Sequence, residues 1–217
     1  MSGSYDFGLM LVTDRALSCG RSLEDIVAAA VRGGVTAVQL REKACPTREF
    51  LDLARRLKGR LDDAGVPLLI NDRADVALAV GASGAHFGQD DLPFPDARRL
   101  LGPGSAIGLS IETPGQAVEA EGWDAAYLGV SPVFATPTKT DAKTPWGLDG
   151  LRRLRTITRH RLVAIGGINA ANASRVLEAG ADGLAVVSAI CSADDPEAAA
   201  RALRGILDRS RAVRRSP

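Results

Sequence analysis

Short apolar runs and helix-like stretches alternate along this chain eight times, and that alternation restricts its fold more than any other feature. The runs are Phe7 to Val12, Thr36 to Leu40, Val66 to Ile70, Gly84 to Phe87, Ala106 to Leu109, Ala126 to Val130, Leu162 to Ile165 and Gly183 to Val187. They are nearly continuous in Val, Leu, Ile and Ala, as strands are when both faces of their sheet are covered. Helix punctuation lies between them. Ser22 predicts an N-cap for a helix over Leu23 to Arg32, with Asp25 completing an imperfect capping box. Thr47 predicts the cap of a longer helix to about Asp62, and Asn169 or Asn172 that of a helix ending at Gly180. Gly33-Gly34, Gly65 and Gly81 read as helix ends, and Pro114 and Pro196 as first-turn prolines. A helix is expected over Leu148 to Thr158, and the last one over Glu197 to about Arg209.

Eight consecutive strand–helix units close more naturally as an α/β barrel of the (β/α)8 kind than as an open sheet. An open, doubly wound sheet would want a glycine-rich turn after its first strand, and Thr13-Asp14-Arg15-Ala16 stands there instead. No Pro/Gly/Ser-rich linker divides the 217 residues, so a single barrel domain over 1–217 is expected, with a short basic tail frayed from about 210.

Charge and composition narrow the function. Lys plus Arg number 27 and Asp plus Glu 26, which gives no electrostatic reason for nucleic acid or an anionic membrane. Aromatic residues are only 4%, against stacking-based nucleic-acid binding. No apolar run is long enough for a membrane span, and the first six residues lack the features of a signal peptide. Cys19, Cys45 and Cys191 are odd in number and widely spaced, which suggests reduced thiols in a cytoplasm rather than disulfides or a metal site.

In such a barrel the C-terminal strand ends converge on one mouth, where active sites are built. The stretch Tyr127 to Asp141 shows what one strand end can carry: a buried run leaves through Ser131-Pro132 into Thr136-Pro137-Thr138-Lys139-Thr140. Three hydroxyls and an ammonium there suit an oxyanion, although from the stretch alone a solvated Thr/Pro loop is the favoured reading. Other ends offer Gln39, Arg41 and Lys43, which alternate onto one face; Asn71 and Asp72; Gln89, Asp90 and Asp91; and Ser110. Gly166-Gly167 and Val187-Ser188 stand where this fold often binds phosphate, against tight packing as the plainer reading. Asp72 and Asp91 could hold Mg²⁺ together with substrate phosphate oxygens, or could cap helices or pair with Arg73. Arg41, Lys43 and Lys139 could face a polyanion, or pair with Glu42 and Asp141. His86 reads as a satisfied core histidine, and His160 as a solvated helix-end residue. No Ser/His/Asp or Cys/His set gathers at the mouth, which points to phosphate positioning and charge stabilisation rather than nucleophilic catalysis.

The ordered fragments Gln39-Leu40-Arg41-Glu42-Lys43, Asn71-Asp72-Arg73, His86 to Asp91 and Gly108-Leu109-Ser110 resemble the thiamine phosphate synthase family. Thr136-Pro137-Thr138-Lys139, Ile165 to Ile168 and Val186 to Ile190 extend the resemblance from about residue 9 to the last helix. It implies a barrel transferase of thiamine biosynthesis, which joins hydroxymethylpyrimidine diphosphate to hydroxyethylthiazole phosphate and releases pyrophosphate. By the same resemblance the substrates contact Gln39, Leu40, Arg41, Glu42, Lys43, Asn71, Ser110, Thr136, Pro137, Thr138, Lys139, Gly167, Val187 and Ser188. Lys139, Arg41, Lys43 and Ser110 carry the catalysis, and Asp72 and Asp91 bind Mg²⁺ as the cofactor.

One departure stands out. Many relatives carry a histidine shortly after the serine of the fifth strand, whereas Ile111-Glu112 follow Ser110 here. A thiazole tautomerase of the same barrel family is the main alternative, and it uses a histidine near this point. A non-catalytic phosphate-binding regulator is the other. Retention of Arg41, Lys43, Asp72, Asp91 and Lys139 favours the synthase. The sequence leaves open a homo-oligomer and whether the thiazole is carboxylated.

Overall fold

A computed structural model of the chain describes residues 5–136 and 144–215. Eight strands pair in parallel and in sequence order: β1 (Leu9–Val12), β2 (Ala37–Leu40), β3 (Leu68–Asn71), β4 (Gly84–Phe87), β5 (Ala106–Ile111), β6 (Tyr127–Val130), β7 (Leu162–Ala164) and β8 (Gly183–Val186). β8 pairs back onto β1 through Leu9 with Leu184 and Leu11 with Val186, so the sheet is a closed (β/α)8 barrel. The outer ring comprises α1 (Leu23–Arg32), α2 (Thr47–Asp63), α3 (Ala74–Val80), α4 (Phe94–Leu101), α5 (Pro114–Ala120), α6 (Gly147–Ile157), α7 (Ala173–Glu178), the short α8 (Ser188–Cys191) and α9 (Pro196–Arg215).

The pleat explains why the strands read as continuous apolar runs. Leu9, Leu11, Val38, Leu40, Leu68 and Ile70 face outward into the core shared with the helices. Met10, Val12, Ala37, Leu69, Tyr127 and Val163 alternate with such residues and fill the barrel. The interior admits a tyrosine because its neighbours are small. A Cβ on Gly108 would lie 2.2 Å from Tyr127 Cζ, and one on Gly84 would lie 1.8 Å from the Ala106 carbonyl oxygen.

Some local expectations are corrected. Ser22 caps α1 by accepting from the Asp25 N–H. Thr47, however, is the first residue of α2, and Pro46 precedes it without a side-chain cap. Asn172 stands before α7, but its amide oxygen accepts from Asn169 N–H rather than capping the helix. The last helix runs on to Arg215, past the end expected at about Arg209, because Arg211 pairs with Asp6 and Arg214 donates to the Leu177 and Ala181 carbonyls. No described helix is long and apolar enough to cross a membrane.

Candidate active site

A cavity of about 380 Å³ opens at the C-terminal ends of the strands. Gln39, Arg41, Lys43, Asn71, Asp72, Asp91, Ser110, Thr136, Gly167, Val187 and Ser188 all line it. Leu40 and Glu42 do not. The pleat turns Leu40 into the outer core, and Glu42 pairs with Arg15 at 3.1 Å, so neither side chain presents itself to a ligand. Pro137, Thr138 and Lys139 lie outside the described residues.

Charge is concentrated on the β2–β4 side. Lys43 Nζ lies 2.5 Å from Asp72 Oδ2, and Arg41 Nη1 lies 3.4 Å from Asp14 Oδ2. Asp72 holds a left-handed backbone, φ 63°. Asp91 Oδ2 accepts from Gly88 N–H at 2.7 Å, which closes the turn after β4. Burial pushes the Asp91 carboxyl above the usual carboxylate range, and the Asp72 carboxylate beside it pushes the same way. Among the described residues no group of three or more acidic, histidine or cysteine side chains gathers to cage a metal. The Asp72 and Asp91 carboxylates lie close together beside the cavity.

The floor is a hydrogen-bonded chain of buried polar groups. Tyr127 Oη lies 2.9 Å from His86 Nδ1, and His86 Nε2 lies 2.9 Å from Ser110 Oγ. Gln39 Nε2 donates to Tyr127 Oη at 3.3 Å. His86 is thus the satisfied histidine that the sequence suggests, but it also lines the cavity. Ile111 and Glu112, not a histidine, directly follow Ser110 in the chain, yet His86 reaches it in space.

On the opposite side Gly166 and Gly167 hold φ 102° and 65°, conformations that favour glycine. Cβ atoms there would lie 2.7 Å from Pro132 Cβ and 2.9 Å from Phe134 Cβ. Close packing on the loop after β6 therefore requires both glycines, whatever they bind. Ser188 opens the short α8 after Val187, and the Ile190 and Cys191 N–H groups both donate to the Val187 carbonyl, at 3.1 and 2.8 Å.

Sequence reasoning passed over Asp14, His86 and Tyr127 as parts of this cavity. Asp14 and Tyr127 end or begin a strand pattern, and only the barrel's closure reveals which way they face. Gln89 was visible at a strand end; its Nε2 donates to the Ser110 carbonyl at 2.5 Å.

The chain matches known proteins over nearly its whole length. The family model for thiamine monophosphate synthase matches residues 9–190. A thiamine-phosphate synthase of Albidiferax ferrireducens is 58% identical over 200 residues, covering 92% of this chain and 91% of that protein. One from Syntrophomonas wolfei is 56% identical over 205 residues, covering 94% and 98%. The solved thiamine phosphate pyrophosphorylase from Pyrococcus furiosus superposes with a TM-score of 0.87 at 38% identity, covering 95% of this chain and 98% of its own. A rim joining two carboxylates, two cations and several hydroxyls, together with these likenesses, leads to one conclusion: the chain belongs to the thiamine monophosphate synthase family, and its activity is that of a thiamine-phosphate synthase.

Proposed function

We propose that the cavity holds hydroxymethylpyrimidine diphosphate on its β2–β5 side and hydroxyethylthiazole phosphate on its β6–β8 side. One observation carries this reading: Arg41, Lys43, Asp72, Asp91 and Ser110, remote in sequence, line one cavity with Gly167 and Ser188 across from them. Arg41, Lys43 and Asn71 grip the diphosphate, with Gln39 at the base. Ser110 meets the pyrimidine. Thr136 and Thr138 hold the thiazole phosphate with Gly167, Val187 and Ser188, and Lys139 meets the departing pyrophosphate.

In the reaction the carbon–oxygen bond between the pyrimidine methylene and the diphosphate breaks, and its electron pair leaves with pyrophosphate. The aminopyrimidine ring supports the positive charge left on the methylene. The thiazole nitrogen then donates its lone pair to form the carbon–nitrogen bond of thiamine phosphate. No proton has to be removed from that nitrogen, so the site has no need of a strong base. The work of the side chains is to position two substrates and to spread negative charge as it develops.

Asp72 and Asp91 would hold Mg²⁺, and the ion when bound supplies further positive charge for the pyrophosphate. The crowding of their carboxylates fits that role, since a cation between them would offset both the burial and the Asp72 charge that raise Asp91. The unpaired thiols of Cys19, Cys45 and Cys191 fit a reducing compartment such as the cytoplasm.

The test is pyrophosphate release with both substrates present. A chelator is expected to abolish turnover and Mg²⁺ to restore it. Lys139→Ala and Asp91→Ala should each lose turnover roughly 100-fold while circular dichroism is unchanged. Near-normal rates in both variants would refute the roles assigned.

A further inference from the structure

We propose that Tyr127 and His86 form a one-way hydrogen-bond chain that fixes the Ser110 hydroxyl as a donor towards the cavity. Both are positioning residues: they act on substrate only through Ser110. The inference rests on the assignment of Ser110 to the pyrimidine.

Direction follows from what each group can give. Tyr127 is 1% exposed, and burial raises its phenol far above its ordinary pKa, so it keeps its proton. Its oxygen accepts from Gln39 Nε2 at 3.3 Å. Its O–H then has two described acceptors, His86 Nδ1 at 2.9 Å and the weak Met10 sulfur at 3.8 Å, and the nitrogen is the better one. The Gln39 orientation is supported independently, since its Nε2 also lies 3.9 Å from Met10 Sδ, where an amide oxygen would face sulfur lone pairs. A neutral His86 that accepts at Nδ1 carries its proton on Nε2, and that N–H donates to Ser110 Oγ at 2.9 Å. Ser110 accepts there, and its own proton is left for the cavity. A hydroxyl so fixed selects ligands with a hydrogen-bond acceptor at that point, such as a ring nitrogen of an aminopyrimidine.

The barrel is carved to hold this chain. Gly108 leaves room for the Tyr127 ring, and a Cβ on Gly129 would press on His86 Cε1 at 3.1 Å. The two rings lie nearly parallel, 15° apart with centroids at 5.5 Å, which holds their polar edges in line.

Nitrogen-15 NMR of the full chain at neutral pH tests the inference without turnover. The protein has two histidines, so a His160→Gln variant assigns the signals. The expected result is a protonated Nε2 and a bare Nδ1 on His86, with that bias lost in Tyr127→Phe. A proton on Nδ1 of the unaltered protein would overturn the inference, because the chain would then run the other way. In steady-state assays His86→Leu should raise KM for the pyrimidine diphosphate roughly 3- to 10-fold, the worth of one hydrogen bond, with KM for the thiazole phosphate unchanged. His86→Gln, whose amide can still donate to Ser110, should recover most of that loss. No recovery with glutamine would also overturn it. Were the substrates wrongly assigned, the tautomer would stand and only the KM split would fail.

Discussion

Lys43 and Asp72 reach across from adjacent strands and meet at 2.5 Å, an ion pair set on the lip of the cavity. Asp72 arrives there from a left-handed backbone, which aspartate and asparagine tolerate better than alanine or valine do. Asp72→Asn should therefore keep stability within about 0.5 kcal/mol, whereas Asp72→Val should lose roughly 2 kcal/mol. Both should lose turnover roughly 100-fold. Urea denaturation beside a pyrophosphate-release assay separates the two effects, and equal stability of the pair would remove backbone strain from the account.

Asp91 predicts a trade between activity and stability. Its carboxyl is raised in the folded protein, first by burial and then by Asp72. A raised carboxyl binds its proton more tightly when folded, so its stability is intact below the unfolded value and is lost as pH rises through the folded one. At neutral pH the ionised group opposes folding. Asp91→Asn is expected to raise the thermal midpoint of the ligand-free protein by a few degrees, roughly, near pH 7. The gain should vanish below the ordinary carboxylate range. A midpoint difference constant with pH would mean that the charge is not its source.

Two glycines should respond to alanine in opposite directions. At Gly108 a methyl group would drive into the Tyr127 ring from a strand that cannot move, so Gly108→Ala should lose roughly 3 kcal/mol. At Gly59, inside α2, a Cβ would meet nothing within 4 Å. Gly59→Ala should gain about 0.5 to 1 kcal/mol by restricting the unfolded chain. Chemical denaturation of both variants measures the contrast.

Asp6 ties the start of the described chain to α9. Its carboxyl lies 2.7 Å from Arg211, and that hydrogen bond holds it below the usual carboxylate range. A depressed carboxyl stabilises above its unfolded value and loses that contribution as pH falls through the folded value. The pair is partly exposed, so Asp6→Asn should cost no more than about 1 kcal/mol near neutrality. Thermal midpoints of the two proteins should converge in acid, below both values.

The barrel was legible because its signal is local. Each strand announces itself by a few apolar residues, and each helix by a cap or a glycine. The alternation of Gln39, Arg41 and Lys43 was legible for the same reason, since a period of two assigns a face; by that rule Leu40 and Glu42 could have been excluded. What escaped was whatever depends on two distant strands meeting. His86 and Ser110 are 24 residues apart, and His86 and Tyr127 are 41 apart. No spacing in the sequence joins them. Gly108 and Gly129 look like weak points in strands until the rings they admit are seen beside them. Asp14 stayed hidden because its partner, Arg41, belongs to the next unit along.

The pairing of β8 with β1 has a consequence for how the protein is made. Ser188 sits just beyond the last strand, so a chain leaving the ribosome holds most of its chemistry before it holds any pocket. Until β8 is synthesised, β1 and β7 are open edges, ready to pair with the wrong neighbour. Ring closure is therefore the step at which a sticky open sheet becomes an enzyme, and it waits on the eighth strand.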